Sequence, residues 1–103
     1  MSWWSALFGG NEKIRQALRQ GGVIIDLRTA PEFDQGHIPG AHNIPVDRIR
    51  ANLDRIRNMN KPVILCCMTG AHCWEAMDIL KQAGIGRVVV GGTWESVWKL
   101  KRK

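Results

Sequence analysis

The sequence predicts an open α/β fold: one domain built on a parallel sheet with helices on both faces. Three observations carry this. Val23–Leu27, Val63–Cys66 and Val88–Val90 are short, nearly unbroken apolar runs, the pattern of strands buried on both sides. Between them lie stretches whose apolar residues recur at three- and four-residue steps, as on helices. A chain of 103 residues has room for one core and not for two.

The elements follow in order. Met1 to Gly10 carries Trp3, Trp4, Leu7 and Phe8 but has no basic n-region and no cleavage site, and its apolar stretch is short. It reads as neither a signal peptide nor a membrane span. A hydrophobic plug on the domain is expected, with a membrane-surface or partner contact as the rival. Asn11 is read as a helix cap, with Ile14, Ala17 and Leu18 on the inner face and Gly21-Gly22 as the stop. Val23–Leu27 is the first strand, and Pro31 to Asp34 resembles one helical turn. Gly36 to Pro45 is loop with a brief extended piece at Asn43-Ile44. Val46, Ile49, Leu53 and Ile56 mark an amphipathic helix, ended by Lys61-Pro62. After the strand Val63–Cys66, a polar turn leads into a helix presenting Ala76, Ile79, Leu80 and Ala83. Gly84 and Gly86 close that helix, Val88–Val90 is the third strand, and Gly91-Gly92 is expected to turn into a last helix from Trp94 to Leu100. The domain core is placed at about residues 11–100, and the pattern leaves the strand order open.

Composition narrows the function classes. The apolar fraction of 45% and charged fraction of 23% suit a globular chain. A domain this size buries roughly two-thirds of its unfolded surface, enough to hold together without staples or a structural metal. The net charge of +6 is concentrated in Arg48, Arg50, Arg55, Arg57 and Lys61, and in a basic tail at residues 99–103. These read as a solvated face and a loose tail; no nucleic-acid motif accompanies them, so no specific nucleic-acid partner is expected. Cys66, Cys67 and Cys73 lie within eight positions, an odd and crowded set unlike a disulfide framework. A reduced, cytoplasmic chain with one reactive thiol is expected.

In open α/β sheets, function gathers at the carboxyl ends of the strands. Cys67 follows a strand directly and precedes a turn that opens a helix. The helix N-terminus puts positive partial charge near its sulfur, and amides of the turn, bent inward at Gly70, can converge on an anion. Cys67 is therefore expected to be accessible, whereas Cys66 points into the sheet. A small buried hydrophobe is the plain structural alternative for Cys67.

The string Ile25-Asp26-Leu27-Arg28, Pro31-Glu32-Phe33, Gly36-His37-Ile38-Pro39-Gly40-Ala41 and Asn43-Ile44-Pro45 resembles the first half of a rhodanese domain. Lys61 to Cys67 resembles that family's strand into its active-site loop, with Cys67 in the catalytic position. Ile79 to Gly84 and Val88 to Gly92 resemble the second half. The resemblance implies a rhodanese-like single domain and a sulfurtransferase. Cys67 would be the nucleophile, taking a sulfane sulfur from thiosulfate or a persulfide and passing it to a thiol or cyanide. Met68, Thr69, Gly70, Ala71, His72 and Cys73 would form the substrate loop. The covalent persulfide would replace any cofactor, and a sulfur-relay protein is a conceivable partner. Asp26 is expected to hold loop backbone, and Arg28 to pair with a carboxylate such as Glu32, near the reaction but outside it.

Departures from the family pattern sharpen the expectation. Its loop often carries Arg or Lys, whereas here only His72 can be charged, which favours persulfide donors over thiosulfate. Position 73, commonly Ser, is Cys73: either a small helix-start residue or a resolving or relay thiol. His37 and His42 are expected to satisfy loop hydrogen bonds, and Trp94 and Trp98 to pack. Phosphatases of the same fold place Arg six residues after the loop cysteine; here that residue is Cys73, so phosphate chemistry is not expected. No metal site is expected, because adjacent strand cysteines face opposite sides. The rival from another class is a non-enzymatic binding module.

Overall fold

The computed structural model describes residues 10–103, so Trp3, Trp4, Leu7 and Phe8 lie outside the described residues. Four parallel strands form one sheet: β1 (Val23–Asp26), β2 (His42–Asn43), β3 (Val63–Cys67) and β4 (Val88–Thr93), in spatial order β2-β1-β3-β4. The helices are α1 (Gly10–Arg19), α2 (Ala30–Asp34), α3 (Leu53–Met59), α4 (Ala71–Gln82) and α5 (Trp94–Lys101).

Strand periodicity divides the core in two. Ile25, Val63, Leu65 and Cys67 point to one face, where Ile56 of α3 and Cys73, Ala76, Ile79 and Leu80 of α4 cover them. Ile24, Ile64, Cys66 and Val89 point to the other, under Ile14 and Ala17 of α1 and Val97 of α5. Cys66 and Cys67 thus face opposite layers, as strand neighbours must. The sheet sandwiched between helices matches the predicted fold class. Among the described residues, no helix is long and apolar enough to cross a membrane.

Four expectations about local structure need correction. Gly10, the first described residue, is already helical, so Asn11 lies within the helix rather than capping it. Its end is as expected: Gly22 N–H reaches Ala17 O at 2.8 Å and Gly21 N–H reaches Leu18 O at 3.1 Å, a Schellman closure. Val46–Arg48 and Arg50–Asn52 are 3₁₀ turns, and only Leu53–Met59 is α-helical. The Asn52 amide side chain takes the Arg48 carbonyl at 2.9 Å, while the Asn52 N–H goes to Ile49 O at 3.0 Å. The side-chain amide thus meets the carbonyl that the Asn52 N–H would take in an α-helical ladder, a local competition that favours the tighter turn. Ile49 and Ile56 are buried all the same.

Third, Gly91 and Gly92 belong to β4 rather than to a turn. Leu65 pairs with Val90 and Cys66 with Gly92, so Gly91 is the extra residue of a bulge. A Cβ at Gly91 would lie 2.5 Å from Val97 Cγ2 and 2.9 Å from Leu65 O. Glycine is there because sheet and α5 meet closely. Fourth, the basic chain end is helical to Lys101; Lys99 and Lys101 sit in the last turn of α5, where cations suit the helix dipole.

Candidate active site at the end of the central strand

β3 is a central strand, and its last residue is Cys67, paired in register with Thr93 of β4. The chain then leaves the sheet through Met68 and Thr69, both exposed, and reverses at Gly70, the N-cap of α4. Gly70 has φ +93°, a left-handed conformation that side chains resist. That turn aims the Gly70 N–H back at the cysteine: it donates to Cys67 Sγ at 2.9 Å. The sulfur therefore meets a main-chain donor and the first turn of a twelve-residue helix together. Both favour negative charge there.

Two expectations change. Cys67 is only 1% exposed, not an accessible strand tip. The strand runs one residue further than expected, and both the Gly70 turn and Cys73 of α4 close over the sulfur. Nor do several amides converge on it. Among the described residues the Gly70 N–H is the one backbone amide bonded to Sγ; the Ala71 N–H goes to Thr69 Oγ1 at 3.4 Å and the Cys73 N–H to Gly70 O at 3.3 Å. Ala71 and His72 are exposed, and His72 Nδ1 lies 3.8 Å from Glu75 Oε1, a surface contact worth little.

Cys73 is fully buried, with its sulfur 3.5 Å from that of Cys67. Its thiol also approaches Leu65 O at 3.5 Å and Gly92 O at 3.7 Å. Burial, reinforced by the contact with Cys67, pushes the Cys73 thiol up to about 12. Burial likewise pushes Cys66 far up on the opposite face. These shifts bear on stability. Unfolded thiols ionise from about pH 8.5, whereas the native ones keep their protons well above it. Native stability is therefore undiminished below that pH and is lost as pH rises, by about 1.4 kcal/mol per pH unit for each thiol. Denaturant titrations from pH 8 to 10 should show a steeper decline for wild type than for the Cys66→Ala/Cys73→Ser double variant. Parallel curves would contradict this.

Asp26 and Arg28 sit beside the site at the end of β1. Asp26 is 0% and Arg28 6% exposed. Arg28 Nε lies 3.0 and 3.2 Å from the two Asp26 oxygens, and Nη2 lies 2.9 Å from Oδ2. Asp26 also holds backbone, as expected, through the Arg28 N–H at 3.1 Å. The carboxylate that Arg28 pairs with is that of Asp26 rather than that of Glu32. Arg28 donates to the Glu32 carbonyl at 3.3 Å and to Gly36 O at 2.7 Å, not to the Glu32 carboxylate. That carboxylate caps α2, accepting from the N–H and hydroxyl of Thr29 at 3.0 and 2.9 Å; these bonds hold it below the usual carboxylate range. The hydrogen bonds to Asp26, outweighing burial, keep Arg28 firmly protonated.

Trp94 is the residue that sequence reasoning undervalued. Its ring stacks under the Arg28 guanidinium at 4.6 Å. Arg28, Glu32, Gln35, Gly36, Met68, Trp94 and Glu95 line an open cleft of about 350 Å³ that Met68 joins to the cysteine loop. His37 makes the expected loop bond, Nδ1 to Phe33 O at 2.8 Å, and stacks on the Phe33 ring. His42 instead meets Arg55 at 3.4 Å. Among the described residues, no three His, Cys, Asp or Glu side chains are grouped to hold a metal ion.

Four parallel strands between helix layers, with a cysteine loop at the end of a central strand, define a class that comparison with known proteins identifies. Residues 11–98 match the model of the rhodanese-like domain, and the chain belongs to that family. It is 36% identical over 74 residues to the thiosulfate sulfurtransferase GlpE of Pseudomonas fluorescens, covering 71% of this chain and 67% of that protein. It is 33% identical over 81 residues to the uncharacterized protein YibN of Escherichia coli, covering 77% of this chain. The match spans only 57% of YibN, a little over half its length. A solved structure from Staphylococcus saprophyticus superposes with a TM-score of 0.67 at 28% identity, covering 82% of this chain and 88% of that one.

Proposed function

We propose that this domain is a sulfurtransferase in which Cys67 carries sulfur as a persulfide. The observation that carries the reading is the Gly70 N–H at 2.9 Å from Cys67 Sγ, at the mouth of α4. The Cys67 thiolate attacks the outer sulfur of a donor. With thiosulfate, the S–S bond breaks, sulfite leaves with the electron pair, and Cys67 holds the sulfane sulfur as a persulfide anion. An acceptor thiolate or cyanide then attacks that outer sulfur, and Cys67 departs as thiolate. This is covalent catalysis supported by a preorganised donor. Met68, Thr69, Gly70, Ala71 and His72 would surround the transferred atom. Because Sγ is closed over at rest, the donor enters only when the Met68–Gly70 turn swings aside.

The loop also suggests the donor. Arg28 is committed to Asp26, and His72 faces Glu75. A doubly charged donor finds little compensation there, which favours persulfides and polysulfides over thiosulfate. Turnover assays with cyanide as acceptor should give faster thiocyanate release from glutathione persulfide than from thiosulfate, and none above background for Cys67→Ser. Equal rates would refute the donor preference. Activity retained in Cys67→Ser would refute the carrier role. The buried sulfur favours a second reading, a binding module with an idle cysteine; wild type that fails with every donor would support it.

A further inference from the structure

Resting on the carrier role of Cys67, we propose that Cys73 is the resolving thiol of this site. It would attack Cys67 Sγ in the loaded protein, expel the carried sulfur as hydrosulfide and leave a Cys67–Cys73 disulfide. The two sulfurs are 3.5 Å apart, and both are buried on the same face of the sheet. Cys66, next to Cys67 in sequence, belongs to the opposite layer and cannot compete. An acceptor from solvent must displace the turn that covers Cys67, whereas Cys73 is already in contact. Such placement turns a bimolecular encounter into an intramolecular step.

The step balances without an outside oxidant. Cys73 holds its proton at neutral pH, and the persulfide anion beside it is the base. The proton passes to the terminal sulfur, and the freed Cys73 thiolate attacks Cys67 Sγ. The Sγ–S bond breaks and hydrosulfide leaves with its electron pair. The sulfane sulfur is reduced to sulfide while the two cysteine sulfurs are oxidised to a disulfide. A small thiol, by exchange, returns the site to the dithiol. Without an acceptor, the domain would therefore discharge sulfur as sulfide.

The test loads reduced protein with glutathione persulfide under anaerobic conditions, removes the donor, and follows sulfide release together with non-reducing intact mass. Wild type should release one sulfide per chain and lose two hydrogens, with two of its three thiols no longer alkylated. Cys73→Ser and Cys73→Ala should keep the added sulfur and release sulfide at least about tenfold more slowly. Two variants guard against a folding defect in one. Wild type that retains its added sulfur as long as the variants do, with no Cys67–Cys73 disulfide, would overturn the resolving role alone. Variants that never gain sulfur on Cys67 would overturn the carrier role and this inference with it.

Discussion

Asp26→Ala should destabilise the domain by about 3–5 kcal/mol, although Asp26 makes no contact with the reacting sulfur. The substitution removes the carboxylate that accepts from Arg28 Nε, Nη2 and backbone N–H. The guanidinium left behind is 6% exposed and permanently charged, so it cannot shed its charge to escape the cost. Burying an unpaired charge is among the few single changes with so large an effect. Guanidinium titrations would measure it, as a midpoint shifted without a change of slope. Arg28→Met should cost a similar amount by stranding the carboxylate. Asp26→Leu/Arg28→Met together should cost much less than the sum, because both charges then leave the interior. Single losses under about 1 kcal/mol, the range of a solvated surface pair, would show the pair is not buried as described.

The second large effect is expected at Gly91. Alanine there puts a methyl group 2.5 Å from Val97 Cγ2 and 2.9 Å from the Leu65 carbonyl. The first neighbour is a side chain, but the second is backbone of β3, two residues before Cys67. That same carbonyl is approached by the Cys73 thiol. Relief therefore pushes the strand that ends in Cys67, and Gly91→Ala should lose about 1–3 kcal/mol. Sulfur transfer should fall further than the folded fraction does. Comparing denaturation midpoint with transfer rate, at a temperature where both proteins are folded, separates the two effects. A variant as stable and as active as wild type would show that the bulge does not position the site.

Gly91 also marks where the sequence stopped being legible. A glycine pair after three valines reads locally as a turn, because backbone freedom is what glycine shows in one dimension. Its reason here is a close approach between sheet and helix, which only the assembled fold reveals. The runs Val23–Leu27 and Val63–Cys66 were readable because a strand covered on both faces needs apolar residues at nearly every position, Asp26 being tolerated through its pairing with Arg28. The stretch from Val46 to Ile56 kept its predicted inner face yet not its helix type, because Asn52 intercepts a carbonyl without disturbing the apolar spacing. The misassigned partner of Arg28 had a visible correction. Thr29-Ala30-Pro31-Glu32 is a capping-box pattern that already claims the Glu32 carboxylate, which leaves Asp26, two residues back along the chain. For the candidate site, the order strand, cysteine, turn, helix, together with the family resemblance, pointed to Cys67 and its loop. The closing of the turn over the sulfur depends on how Gly70 bends and on how deep Cys73 sits, which spacing does not encode.

The most direct measurement of the central claim is peptide-resolved mass spectrometry of the Cys73→Ser protein after glutathione persulfide loading and alkylation, which keeps any added sulfur from being resolved. One extra sulfur on Cys67, with Cys66 alkylated and unmodified once the protein is unfolded, is the result this account requires. Sulfur on Cys66, or on neither residue, would contradict it.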